Sequence, residues 1–180
     1  VNHRNPSCSA VLLCAASLVL VACLGDDESE APILPGDPSF LRDPALDVET
    51  SSAHDELRSH NAGLNCMNCH QAHGPGKGRF TIGVTVFGPD GSIAPNPVLE
   101  LYKAPPSTGA PPAYVLPGDG RGNIYTTAAM PLPDTALFVV VRSRDGALRN
   151  VMPFPTGSGA CNVCHRTGFE VKLLPISTTL

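Results

Sequence analysis

Two five-residue stretches hold most of the reactive side chains of this chain: CMNCH, Cys66 to His70, and CNVCH, Cys161 to His165. Each places two thiols three positions apart, with an imidazole directly after. The first lies in a richer run, LNCMNCHQAHG (64–74), which adds His73. Three chemistries use such residues. Paired thiols can cycle as redox disulfides. Two C-x2-C pairs can supply a four-thiolate zinc site, here Cys66, Cys69, Cys161 and Cys164. C-x2-C-H is also the attachment signature of covalent haem. In that case the two sulfurs reach adjacent pyrrole edges as thioethers, and the histidine becomes the proximal iron ligand.

The compartment and the remaining cysteines help to decide among these. The stretch from Ala10 to Ala22, AVLLCAASLVLVA, is thirteen mostly apolar residues after a short polar start with His3 and Arg4. That is short for a membrane span and suits a signal h-region, so residues 1–22 are expected to be a signal peptide. It ends in LVAC, which resembles a bacterial lipobox with Cys23 as the lipidated residue. The resemblance implies a lipid anchor and, with Leu24 rather than Asp in the next position, outer-membrane sorting. Of the seven cysteines, Cys8 and Cys14 leave with the signal and Cys23 carries lipid. The other four all fall in the two motifs.

An exported chain with two C-x2-C-H copies that use every remaining thiol resembles multihaem c-type cytochromes. The resemblance rests on Cys66, Cys69, His70, Cys161, Cys164 and His165, and implies two haem c groups with His70 and His165 as proximal ligands. Under the zinc reading both histidines are coincidental. The redox reading lacks a thioredoxin-like βαβ context. Structural disulfides remain the last alternative. For the sixth ligands, His73 follows His70 by three residues, which span at most about 10–11 Å. It is therefore expected to serve the other haem if it ligates at all. His60, ten residues before His70, is the expected distal ligand of the first haem, with His54 in reserve. For the second haem the candidates are His73, Met152 and His54; Met130 and Met152 can equally be core filler.

Elements must hold these motifs. Residues 23–50 carry eight acids, one base and four prolines from position 24 onward. This composition predicts a disordered acidic tether of roughly 30 Å. Ser52 and Asp55 have capping-box-like spacing, and Ala53, Leu57, His60 and Leu64 recur on one helical stripe. A short helix ending near Gly63 is predicted there. From Phe80 the period becomes two. Short strands are predicted in 80–92, 97–104, 113–119, 122–127, 135–143, 147–154 and 168–176, with turns at PDG (89–91) and RDG (144–146). The resulting domain, 51–180, is expected to be a mostly β, Ig-like sandwich. The phrases GVTVFGPDGSIAPNPVLELY, GDGRGNIYTT and ALFVVVRSRDG resemble the carboxypeptidase-regulatory, transthyretin-like sandwich family. That resemblance implies a fold and no activity. If first and last strands lie parallel and adjacent, both motifs fall at one end of the sandwich.

A net charge of −4 carries no nucleic-acid signature. From Leu57 onward ten Lys and Arg face six acids, which reads as a solvated surface. No carboxylate pair, Ser–His–Asp set, phosphate loop or H-E-x-x-H occurs, so the expectation is an electron carrier and not an enzyme. Its partners are redox proteins and, through the lipid, a membrane. The alternative is a structural or ligand-binding lipoprotein stapled by zinc or disulfides.

Overall fold

The computed structural model describes residues 32–176. The signal peptide, Cys8, Cys14 and Cys23, and the start of the tether lie outside the described residues. Among the described residues the chain is mostly β. Its seven strands are β1 (Ile82–Phe87), β2 (Val98–Tyr102), β3 (Tyr114–Pro117), β4 (Asn123–Thr126), β5 (Phe138–Arg142), β6 (Arg149–Val151) and β7 (Val171–Lys172). Each falls inside a predicted strand segment. One single-turn helix, α1 (Cys161–Cys164), and three 3-10 turns complete the regular structure. Among the described residues no helix is long and apolar enough to cross a membrane.

The strands form two sheets, ordered β4-β1-β7 and β3-β2-β5-β6. Both contribute to one core. Ile82, Val84 and Val86 of β1 and Ile124 of β4 meet Leu99, Leu101 and Val141 of the other sheet. The period of two in β1 aims these three β1 residues inward. The RDG turn closes a β5–β6 hairpin, with the Ser143 amide donating to the Leu148 carbonyl at 2.9 Å. All strand pairs are antiparallel except one. β1 and β7 run parallel, with Val86 opposite Val171 and Phe87 opposite Lys172. The expected adjacency of first and last strands is therefore observed.

Two expectations fail. No helix forms over 52–64. Ser52 does not cap; its hydroxyl donates to the Pro117 carbonyl at 2.6 Å and accepts from the Tyr125 amide at 3.0 Å. Asp55 takes a left-handed φ of 67°, where its amide and carboxylate both bond to Asn96. Long-range bonds thus take the polar groups that a capped helix needs. The tether also ends earlier than residue 50. Gly36 donates to the His73 carbonyl at 2.7 Å, and Gly78 donates to that of Leu46 at 2.7 Å. Arg42, the one base of this acidic segment, is not solvated. Its side chain is buried and donates to Asp47 and to the carbonyls of Leu46 and Gly74. These bonds dock the segment on the loop after the first motif.

Candidate functional site

Both motifs fold into the same local shape. The His70 amide donates to the Cys66 carbonyl at 3.1 Å, and the His165 amide donates to that of Cys161 at 2.9 Å. Each motif is therefore one helical turn, a 3-10 turn over Cys66–Asn68 and α1 over Cys161–Cys164. Residues three and four apart are neighbours on a helical surface. Two thiols and an imidazole are thus presented together. Asn65 caps the first turn by accepting from the Met67 amide.

The imidazoles are oriented alike. His70 Nδ1 lies 2.9 Å from the Lys77 carbonyl, and His165 Nδ1 lies 3.0 Å from that of Phe169. A carbonyl partner requires the proton on Nδ1, which leaves Nε2 with a free lone pair. The GPGKG loop (74–78) folds back to supply the first carbonyl. A Cβ on Gly76 would stand 2.7 Å from His70 Cγ, so only glycine allows this close approach. Phe80 stacks on the His70 ring at 3.9 Å between centroids, and Tyr125 stacks on Phe80 at 4.9 Å. Burial pushes the His70 pKa down, against the opposing pull of the Lys77 and Gly78 backbone. The neutral imidazole is thereby favoured.

Each motif borders its own cavity. The first, about 510 Å3, is lined by Cys66, Cys69, His70, Phe80, Tyr125 and also His60. The His60 and His70 ring centroids are 6.0 Å apart. His60 reaches this place from an irregular loop and not from the helix expected for it. The second cavity, about 360 Å3, is lined by Cys161, Cys164, His165 and a mainly apolar wall that includes Val139, Met152, Phe154 and Val163. Phe154 and Val163 remain exposed there.

The other candidates lie elsewhere. His54 lines neither cavity, and its Nδ1 lies 3.0 Å from the Gly118 carbonyl. His73 is exposed beside the docked 36–50 segment and lines neither cavity. The structure therefore does not carry His73 to the second motif. Met130 packs against the core.

The four thiols are unbridged. Burial raises the pKa of Cys66, and pushes that of Cys161 up to about 12. Reactive redox cysteines need the opposite shift. Among the described residues no three His, Cys, Asp or Glu side chains converge as a group that could hold a metal ion. A four-thiolate zinc site needs four such donors together.

The two motifs are joined through β1, whose outward-facing Gly83 and Thr85 contact one residue of each. Gly83 gives Cys66 its seat: a Cβ there would lie 3.0 Å from Cys66 Cβ. The Gly83 amide donates to the Gly159 carbonyl at 2.9 Å, just before the second motif. Thr85, two residues on, bonds to Asn162, the first spacer residue between Cys161 and Cys164. Sequence reasoning missed Thr85 and Asn162. The one signal was Gly83 and Thr85 alternating with aliphatics in IGVTVF, which reads equally as a solvent-facing edge. No protein-family model, characterised protein or solved structure matches this chain.

Proposed function

We propose that the chain is a dihaem c-type electron carrier, with haem c attached at Cys66 and Cys69 and at Cys161 and Cys164. The observation that carries this reading is the repeated geometry: one helical turn, an imidazole with Nδ1 tied to a backbone carbonyl, and an adjoining cavity, twice over. Metal-binding histidines characteristically have their second nitrogen held this way. A haem iron takes its equatorial ligands from the porphyrin and needs only axial ligands from the protein. Two thiols and one oriented imidazole beside a cavity therefore suffice at each motif. When bound, each haem would supply a one-electron iron couple; the protein sets ligands, burial and distance.

The two sites differ in their second axial candidate. With a metal–imidazole bond of about 2 Å, two imidazoles on one iron put their ring centres about 6 Å apart. The 6.0 Å between His60 and His70 matches. At the second motif Met152 shares the cavity with His165. Met/His ligation raises a haem potential, so the second site is the higher of the two. The sheets suit the Ig-like, transthyretin-like sandwich family, and the lipobox-like LVAC suits a lipid anchor at Cys23 that holds the carrier at an outer membrane, within reach of redox partner proteins.

Intact mass and a visible spectrum of the exported protein test this. Two covalent haem units and sharp reduced bands are expected, and Cys66→Ala with Cys69→Ala should remove one unit. A wild-type protein without covalent haem would overturn the proposal and return zinc or disulfide staples to consideration.

A further inference from the structure

We infer that Asn162, a spacer inside the second motif, positions His60 at the first, so that the first attachment site depends on the second motif. The inference rests on the dihaem reading above and names a device within it.

Thioether attachment asks nothing of the residues between the two cysteines. Val163, the other spacer of the second motif, is 53% exposed, as such a residue can be. Asn162 is only 3% exposed. Burying an amide costs free energy unless its donors and acceptor are bonded. All are bonded here, and every partner belongs either to β1 or to the approach to the first motif. Asn162 Nδ2 donates to the Leu64 carbonyl at 2.8 Å and to Thr85 Oγ1 at 3.2 Å, and Asn162 Oδ1 accepts from the Thr85 amide at 3.2 Å.

The network continues toward His60. Thr85, 1% exposed, accepts from the Gly63 amide at 2.9 Å and donates to Asn123 Oδ1 at 2.6 Å. Asn123 Nδ2 donates to Ser59 Oγ at 2.8 Å, and Arg121 donates to the Ser59 carbonyl at 2.8 Å. His60 sits on the irregular loop 59–64 between these attachments. The Ser59 end is held by Asn123 and Arg121. The Gly63–Leu64 end is held by Thr85 and Asn162. No strand or helix fixes this loop, so its four polar anchors set where the His60 imidazole stands. Networks of this kind gain rigidity when complete and lose it when one member is removed.

The test uses the full haem-loaded chain. Asn162→Leu and Thr85→Val remove polar groups while keeping the branched shape of each side chain, Thr85→Ser restores the hydroxyl, and His60→Ala is the reference. Covalent haem is counted by mass. Axial ligation is read from the oxidised spectrum and from titration with imidazole, which binds an iron whose sixth ligand has left. Asn162→Leu and Thr85→Val should keep two haems, show a high-spin fraction at one of them, and bind imidazole at least tenfold more tightly than wild type. They should match His60→Ala, while Thr85→Ser follows wild type. The high-spin signal should vanish when Cys66→Ala and Cys69→Ala are added. Persistence of that signal, or two haems with wild-type ligation in both Asn162→Leu and Thr85→Val, would overturn the inference and leave the dihaem reading standing. If Asn162→Leu fails to take up the second haem, the Thr85 pair decides alone. Absence of covalent haem in wild type would defeat the underlying reading instead.

Discussion

Cys66 rests against the backbone of Gly83, so closely that a Cβ on Gly83 would stand 3.0 Å from Cys66 Cβ and 3.4 Å from its sulfur. The first motif is thus seated on Gly83, the first of three outward-facing positions of β1. A valine at this position has no room unless the motif lifts away. Gly83→Val is expected to destabilise the domain by about 1–3 kcal/mol through overpacking. It should also reduce haem occupancy at Cys66 and Cys69 more than at Cys161 and Cys164. Chemical denaturation and peptide mass mapping would measure both effects. Full occupancy with wild-type stability would mean that Cys66 does not seat on β1.

Under the proposed dihaem reading, Met152 and His73 make opposite predictions for the second motif. Met152 lines the cavity beside His165, whereas His73 lines neither cavity. Met152→Ala is therefore expected to lower the potential of one haem and open that iron to added imidazole. His73→Ala should leave both potentials unchanged. A redox titration of the two variants settles the matter, and a shift in His73→Ala alone would restore a crossing ligand.

Stability carries its own pH signature away from the two cysteine motifs. Glu100 accepts from Arg142 Nε at 2.7 Å and from the Tyr102 hydroxyl at 2.7 Å. Burial works against the charged carboxylate, but these two bonds together hold its pKa below the usual 4.5. A depressed carboxylate contributes stability that is present above the unfolded value and lost as pH falls through the folded one. Arg142→Met should therefore cost about 1–3 kcal/mol at pH 7. The gap from wild type should shrink once the pH falls below about 4. Urea denaturation at pH 7 and pH 3.5 checks the sign; a gap that widens in acid would contradict it.

The strands were legible because their signals are local. IGVTVF and VLELY alternate, and PDG and RDG mark turns whatever lies around them. Segment 52–64 misled for the opposite reason. Ser52 and Asp55 carry a helix-start pattern, but their partners Pro117, Tyr125 and Asn96 are 41 to 73 residues away. His60 nonetheless stands beside His70, because ten residues give it that reach whether or not a helix forms, while the helical stripe that also pointed to it is not there. Arg42 was misread within an acidic run whose composition predicts solvation. Asn162 could not be singled out: a spacer between two cysteines shows its burial only when the strand beneath it is known.

The parallel pairing of β1 with β7 also has a kinetic side. Of the strand pairs this one joins the residues farthest apart in the chain, Val86 with Val171 and Phe87 with Lys172. Contacts of high sequence separation form late, because loop-closure entropy must be met first. The Cys66 motif lies next to β1 in the chain, whereas the Cys161 motif is expected to arrive with the final strand. Until then Thr85 lacks its partner Asn162. Topology alone is thus expected to order the two motifs in time, first before second, with no separate device needed to impose the sequence of events.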